Sequence, residues 1–359
     1  MKKSFYIILT FIAFLISCEA ETEESRTSNL PPSRGGNADI IIVMDSLHWS
    51  GPLGAEVRKI FREPIPGLPQ DEPHFFINQI NPFQINDVFR SVKNLVYVAT
   101  MNNQRIQGRK LKSEFTKESV ERIAHNPDVF MLLKQNVFAK DQEVLHLFGN
   151  NEQELIENIQ KNKEKIRDIF HKKELERISR SIFSRQAKNI TNVLERDHQF
   201  SIKFPLVYEL VYNKENFIWV REFGSDIDKN IFISYQDYTS EEIFKDENIL
   251  KLRNLEVKKL GEDTDNVVYM DTETLIPMET QEITFNGKYA VESRGLWKLS
   301  NNTMGGPFLS YIFVDETLKR LYYIEGYVYS PGKDKRNSIK EIETILRTFK
   351  TTDQLQARN

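Results

Sequence analysis

The chain has 359 residues, with 49 lysines and arginines, 52 aspartates and glutamates, and a net charge of −3. This balance gives no electrostatic reason to expect nucleic acid as a partner, because proteins that bind its phosphates carry a clear basic excess. The composition, 40% hydrophobic and 28% charged, is that of a globular protein long enough to bury a sizeable core. The single cysteine can form no internal disulfide, so we expect the fold to rest on its core alone.

The amino terminus has the pattern of a cleaved export signal. Two lysines precede an apolar run over residues 5–16, which is too short to span a bilayer as a helix. The run closes with Leu15-Ile16-Ser17-Cys18, which resembles the lipobox of bacterial lipoproteins. The resemblance implies that residues 1–17 are removed and that Cys18 is acylated, so that lipid chains anchor the protein to a membrane. The alternative is an ordinary secretory signal followed by a chance cysteine.

Residues 18–37 are predicted to form a flexible acidic tether after the lipidated cysteine. The run Glu19–Glu24 leads into serine, threonine, asparagine, proline and glycine, with almost nothing to bury. Glu19 is not the aspartate that retains lipoproteins at the inner membrane in enteric-type sorting, so we expect an outer-membrane protein of the cell envelope. The acidic run also resembles surface-export signals of some Bacteroidota lipoproteins, so the body is expected to face either the periplasm or the cell surface.

Residues 38–150 show alternating strand and helix signals, which predict an N-terminal α/β half. The uninterrupted apolar run at 38–43 predicts a strand buried on both faces. Leu53–Phe61 places its apolar side chains on one helical face. The remaining predicted elements are strands at 75–77, 95–99 and 143–148 and a helix over 82–93.

Residues 151–186 have apolar side chains at spacings of three, four and seven, which predict amphipathic helices. Their lysines and arginines are interleaved with acidic residues such as Glu174 and Glu176. We therefore predict a solvated charged face rather than a surface for membrane or nucleic acid.

Residues 187–359 alternate aromatic and β-branched residues, which predicts a C-terminal α+β half with a mainly antiparallel sheet. Its predicted strands are 208–212, 217–220, 231–235, 308–314 and 321–329. A helix over Ser338–Phe349 is predicted to close one side of that sheet. The predicted fold class is therefore α+β, with N-terminal strand and helix alternation, central charged helices, and a C-terminal sheet with a closing helix.

Several stretches resemble an uncharacterised family of Bacteroidota lipoproteins, described only as a domain of unknown function. They are Leu68–Pro73, Lys93–Val96, Gly295–Trp297 and Met304–Phe308. The family usually has arginine where this chain has Lys93. The resemblance implies an envelope lipoprotein and transfers no activity.

The same stretches supply candidate binding residues. Gly305 and Gly306 predict a bare-backbone turn that could bind an anion or a sugar, with close packing of two segments as the alternative. Gln70 and Glu72 lie in a proline-rich connector from which they could contact a partner. Aromatic candidates for contact with an envelope protein or a glycan, with core positions as the alternative, are Trp49, Trp219 and Trp297.

The best local constellation for catalysis is Asp45-Ser46-Leu47-His48, which follows the first strand, where α/β sites tend to lie. No nucleophile elbow or triad order accompanies it, so Asp45, Ser46 and His48 are weak candidates and cap or turn roles are the alternative. The six histidines stand far apart, and we expect no metal and no cofactor.

Two functions from different classes follow. The first is a non-enzymatic, membrane-anchored envelope lipoprotein that binds a partner or takes part in envelope assembly. The alternative is a periplasmic or surface hydrolase that uses Ser46 or His48.

Overall fold

A computed structural model describes residues 29–126, 128–261 and 268–356. The signal sequence and Cys18 lie outside the described residues, so cleavage and lipidation stay predictions. Within the described ranges, no helix is long and apolar enough to cross a membrane.

The first half of the body is built on a five-stranded sheet. Its strands are β1 (Asp39–Met44), β2 (Phe76–Ile80), β3 (Asn94–Thr100), β4 (Met131–Gln135) and β5 (Glu143–Gly149). They are ordered β2-β1-β3-β5-β4, with four parallel strands and an antiparallel β4 at one edge. Every residue of β3 and β5 is buried, because helices and loops cover both faces of the sheet.

In the part of the chain that the structure describes, seven helices surround this sheet. They are α1 (Ser46–Ser50), α2 (Pro52–Arg62), α3 (Asp87–Arg90), α4 (Ile106–Lys112), α5 (Lys117–His125), α6 (Glu152–Lys161) and α7 (Lys163–Ile182). The predicted apolar stripe over Leu53–Phe61 packs with α6 and α7 against one face of the sheet. The helix predicted over 82–93 is wrong in extent, because the side chains of Asn81 and Asn86 bond to nearby backbone N–H groups and hold turns around the short α3.

The second half is an antiparallel sheet with helices on both faces. Its strands are β6 (Glu209–Lys214), β7 (Phe217–Phe223), β8 (Asp228–Asp237), β9 (Met270–Thr272), β10 (Glu279–Phe285), β11 (Lys288–Leu299), β12 (Gly305–Asp315) and β13 (Arg320–Tyr329). The order is β10-β11-β12-β13-β8-β7-β6, and β9 pairs with β11.

Helices α8 (Lys188–His198), α9 (Asp246–Glu256), α10 (Arg336–Leu346) and α11 (Thr352–Gln356) complete this half. Apolar side chains of α8 and α10 pack on one face of the sheet, and those of α9 pack on the other. The predicted α+β class, with its N-terminal alternation, antiparallel C-terminal sheet and closing helix, is confirmed.

The end of the predicted tether is ordered rather than flexible. The N–H of Lys140 donates to the carbonyl of Pro31 at 2.8 Å, and the N–H of Arg34 donates to the carbonyl of Ser91 at 2.9 Å. The N–H of Lys93 donates back to the carbonyl of Arg34 at 2.9 Å. The prediction of a flexible segment is therefore wrong for residues 31–37, because their backbone groups bond to loops beside β3 and β5.

The two halves meet where α7 packs against α10. Glu174 of α7 accepts two hydrogen bonds from the guanidinium of Arg336, at 2.7 and 2.8 Å, and each side chain is only 2% exposed. The predicted solvated face is therefore wrong at Glu174, because a residue 162 positions later supplies its counter-charge. Glu176 is solvated as predicted, with 59% of its side chain exposed.

Replacing Glu174 tests how strongly this buried pair holds the halves together. Glu174→Ala leaves the Arg336 guanidinium buried without its carboxylate, so we expect the free energy of unfolding to fall by about 3–5 kcal/mol. The matched control Glu176→Ala removes an exposed carboxylate of the same helix and should change it by about 0.5 kcal/mol or less. Urea unfolding of the three proteins measures both values, and equal stabilities for the two variants would contradict the role given to the pair.

Candidate functional site

A cleft of about 960 Å³ lies between the two halves of the body. One wall is α7, and the opposite wall is formed by β10, β11 and α10. Its volume falls within the range of pockets that hold small molecules, and such pockets often lie between domains.

Local geometry brings charged side chains to the floor of this cleft, which we define as Glu292, Arg294, Lys340, Glu343 and Arg347. Lys340 and Glu343 of α10 and Arg347, which follows its last residue, are spaced by three, four and seven positions, so they share one face of the helix. The two on β11 are two positions apart, so they point to the same side of the sheet. The floor is therefore assembled by one helix face and one strand face that meet.

The Glu343 carboxylate is the centre of a hydrogen-bonded network. Its side chain is 1% exposed and has four charged or aromatic donors around it. The distances to its oxygens are 2.9 Å from His171 Nε2, 3.1 Å from Arg347 Nε, 3.2 Å from Lys340 Nζ and 3.3 Å from Arg294 Nη2. A carboxylate with this many donors is held in one place and is fully compensated.

The hydrogen bonds assign the state of the His171 ring. Lys340 Nζ lies 2.9 Å from His171 Nδ1, and an ammonium group can only donate, so Nδ1 is the acceptor. The other nitrogen, Nε2, then carries the proton and donates to Glu343. His171 therefore links the two charged groups, Lys340 and Glu343.

Burial and charge act together on the ionisable groups here. Burial raises the pKa of the Glu343 carboxyl, but neighbouring His171 and Lys340 outweigh burial and hold that pKa well below its ordinary 4.5. Burial lowers the pKa of Lys340, and Glu343 opposes that shift. Burial, with Lys340 nearby, lowers the pKa of His74 on the cleft wall to about 2, so that imidazole is neutral.

The catalytic constellation predicted from the sequence lies elsewhere and has a structural role. Asp45 caps α1 by accepting from the N–H groups of Leu47 and His48 at 3.0 and 3.2 Å, and it pairs with Arg105 at 2.9 Å. Ser46 is exposed, and in the described part of the chain its hydroxyl makes no hydrogen bond to His48. The cap role, which was the alternative, accounts for Asp45.

His48 does line a shallow crevice at the carboxyl ends of β1 and β3, together with residues 102–105. Burial lowers the pKa of its imidazole, and its Nε2 is 3.8 Å from a carboxylate oxygen of Glu152. The sequence argument therefore found the correct end of the sheet, but no nucleophile and base are joined there.

Two candidate binding residues, Glu72 and Trp297, prove to be structural. Glu72 is buried and accepts from the N–H groups of Lys335 and Arg336 at 2.8 Å each, so it is not available to a partner. Trp297 is 3% exposed and donates to the carbonyl of Val328 at 3.1 Å, so its prediction as an exposed contact is wrong.

Gly305 and Gly306 lie in β12 and not in a turn. They pair with Lys298 and Trp297 of the neighbouring strand β11. A Cβ at position 306 would collide with the carbonyl of Val328, so close packing explains the glycine there.

The other candidates keep their status as predictions. Gln70 is exposed beside the buried Glu72. Trp49 is half-buried beneath the Arg58 guanidinium, 4.7 Å from its ring centre. Trp219 is half-buried, donates to Asn230 at 3.0 Å, and lines a smaller cavity of about 290 Å³.

The sequence analysis did not identify the floor residues as a site, although their spacing in the sequence forms a recognisable pattern. Lys340 and Glu343 on α10, and Arg347 directly after it, repeat at helical spacing opposite an apolar stripe, a pattern that usually indicates a solvated face. On β11, Glu292 and Arg294 are charged residues in the middle of the strand, two positions apart. Only the position of α7 over both elements shows that these charges are buried. Among the described residues, no group of three histidine, cysteine, aspartate or glutamate side chains is arranged to hold a metal ion.

Comparison with known families divides the chain at the same place as the fold. Residues 33–183 match the model of a family described as Domain of unknown function (DUF8532), and residues 187–348 match Domain of unknown function (DUF4837). The two halves of the body therefore each match a domain of unknown function, which agrees with the predicted resemblance to an uncharacterised family, although two models match where one family was predicted. No curated protein sequence matches the chain.

Solved structures with partial similarity include a point mutant of protein Mog1, at 9% identity over 44% of this chain and 93% of that chain, with a TM-score of 0.28. Another is the Saccharomyces cerevisiae Ran-binding protein Mog1p, at 9% identity over 43% of this chain and 90% of that chain, with a TM-score of 0.29. Likeness at this level carries no functional argument, so the function has to be argued from the cleft itself.

Replacing Glu343 tests whether its carboxylate holds the cleft floor together. Its pKa is lower in the folded than in the unfolded chain, so its stabilising effect is complete above pH 4.5 and is lost as the pH falls through the folded-state pKa. We expect Glu343→Gln to lower the free energy of unfolding at neutral pH by about 3–5 kcal/mol, because buried cations lose their counter-charge. The difference from the native chain should shrink below pH 4.5.

Urea unfolding at neutral and acidic pH measures this difference. Glu279→Gln, at an exposed position on β10, is the matched control and should leave stability nearly unchanged at neutral pH. The loss of unfolding free energy in Glu343→Gln could instead stay constant from neutral to acidic pH. That result would show that the carboxylate stabilises the floor by its shape and not by its charge.

Proposed function

We propose that this chain is a lipid-anchored protein of the bacterial cell envelope whose two-domain body binds a polar ligand in the cleft between its halves. The proposal gives it a binding role, in the outer membrane, and no catalytic one. The observation that carries it is the cleft floor, where the second half places buried charged groups at one open cavity and His171 of the first half bonds to them.

The floor supports binding because its charges are expensive to bury. Charged side chains removed from water cost free energy that apolar residues of the same size would not. A body held together only for stability has no need of such groups beside an open cavity. Their concentration at the boundary between two domains favours recognition of something polar.

The anchor is supported by the sequence alone, through Leu15-Ile16-Ser17-Cys18. Because the ordered body begins near Pro31, residues 19–30 separate it from Cys18, and that stretch could span at most about 40 Å. Acylation of Cys18 would thus keep the cleft close to the membrane surface.

The hydrolase alternative receives no support from the geometry. Ser46 has no base bonded to its hydroxyl, Asp45 is engaged in capping and pairing with Arg105, and His171 is tied between two charged groups of the floor.

Anchoring is tested by Cys18→Ser. We expect the variant to move from the membrane fraction to the aqueous fraction and to lose incorporation of labelled palmitate, because the acceptor of the acyl chains is gone. Ser25→Ala, a few residues along the same segment, should stay in the membrane fraction and keep the label. Membrane retention of Cys18→Ser with no loss of label would contradict the lipobox interpretation.

Ligand binding is tested by single thiols placed in an otherwise thiol-poor chain. Ser179→Cys puts a thiol on the α7 wall of the cleft, and Ser113→Cys puts one at an exposed site after α4. We expect a hydrophilic maleimide, applied after the outer membrane is breached, to label position 179 more slowly in cells than in the purified full-length protein, because a cellular ligand occupies the cleft.

Position 113 should react at the same rate in both settings. The ratio of the labelling rate in cells to the rate in the purified protein is compared at the two positions. Equal ratios would mean that the cleft is empty in cells and would contradict the binding proposal. Reaction at position 113 before the breach would place the body on the cell surface, and reaction only afterwards would place it in the periplasm.

A further inference from the structure

The cleft floor carries more positive than negative charge. Arg294, Lys340 and Arg347 supply three cations, and Glu292 and Glu343 supply two carboxylates. A histidine ring carries no negative charge, so the neighbouring His171 supplies no counter-charge, and His74 is kept neutral by burial. One positive charge in the floor is therefore left without a counter-charge.

The donors of the floor are also incompletely used. Arg294 Nε donates to Glu292 at 2.6 Å and Arg294 Nη2 donates to Glu343 at 3.3 Å, but the buried Nη1 has no partner among the described residues. Lys340 Nζ has two partners, His171 and Glu343, for its three N–H groups. An unpaired donor in a buried guanidinium costs free energy unless a ligand satisfies it.

The rim of the cleft is mixed in charge, with an acidic majority. The exposed acidic residues Glu164, Asp168, Glu176 and Glu279 lie there with the basic residues Arg167 and Lys172. This majority would disfavour a polyanion such as nucleic acid, whereas a ligand with one anionic group could pass it and place that group on the floor.

We propose that the floor of the cleft binds an oxyanion, a carboxylate or phosphate group borne by a small ligand, with Arg294 Nη1 as the donor that meets it. Lys340 and Arg347 add the charge that compensates it. This inference rests on the proposed function, because it names the chemistry of the ligand that occupies the same cleft.

The probes are sodium acetate, inorganic phosphate and a short-chain soluble phosphatidylglycerol, each at low millimolar concentration and constant ionic strength. Full-length protein in detergent is heated with each probe, with sodium chloride as the reference. We expect at least one oxyanion to raise the unfolding midpoint by several degrees above the chloride value, because ligands that bind only the folded state stabilise it. A shift by acetate or phosphate identifies a free oxyanion, and a shift by the phospholipid alone identifies a lipid headgroup.

Arg347→Gln is the test variant, because its side chain is 33% exposed and the change leaves the buried pairs of Arg294 in place. It should weaken binding of the active probe about tenfold or more, by loss of one charge-assisted donor. Lys333→Gln removes the same charge from an exposed pair outside the cleft and should bind like the native chain. Arg294→Gln should abolish binding if the variant folds, and Arg347→Gln decides the matter if it does not.

The inference is overturned if no probe shifts the midpoint beyond chloride, or if Arg347→Gln and Lys333→Gln respond like the native chain. Such a result together with slow maleimide labelling at position 179 in cells would leave the binding function standing with an uncharged ligand. The same result with fast labelling at position 179 would remove both proposals.

Discussion

The amino-terminal end of α10 is the point on which the rest of the structure depends. A helix that begins inside a protein leaves its first N–H groups without intrahelical partners, and here the carboxylate of Glu72 accepts two of them. The carboxylate also lies at the positive end of the helix dipole. Arg336, the first residue of α10, then reaches across to Glu174. Two acidic residues of the first domain thus fix the start of a helix that belongs to the second.

The cleft follows from that attachment. With its start fixed, α10 presents Lys340, Glu343 and Arg347 one, two and three turns further on, beside Arg294 of β11 and beneath His171 of α7. Apolar contacts alone would allow the two domains to slide against each other. Bidentate hydrogen bonds are directional, so they specify one relative position and one shape of the cavity.

The stretches that carry the family resemblance acquire a physical meaning from this arrangement. Glu72 lies in the first of them. Asn94 lies in the second, is buried, and joins the start of β1 to Arg177 of α7, with Nδ2 donating to the carbonyls of Asn37 and Asp39. Trp297 lies in the third and bonds to β13 across the glycine at position 306. These residues hold the ordered start of the body, α7 and the second sheet in place, and none of them is a floor residue.

The sequence predicted those elements whose apolar side chains are buried against the sheet of their own domain. The run at 38–43, the apolar stripe of α2 and the aromatic strands of the second domain each bury a face against their own domain, so local periodicity is enough. Periodicity fails where burial comes from the other domain. Glu174 and Glu343 look solvated in the sequence, because their partners Arg336 and His171 lie more than a hundred residues away.

This difference explains why the candidate site was missed although the fold class was found. A site built from one loop, such as Asp45 to His48, can be predicted from adjacent residues. In this chain that prediction identified a helix cap and not an active site. The floor of the cleft is instead built from charges of β11 and α10 that lie far apart in the sequence, and His171 of the other domain completes their hydrogen bonds only after the two domains have docked. Buried charged groups are unfavourable without partners, so Lys340 and Glu343 are best compensated when His171 is in place. Domain docking therefore completes the site, and the Glu174–Arg336 pair that joins the domains lies on the same two helices as the groups that face the cavity.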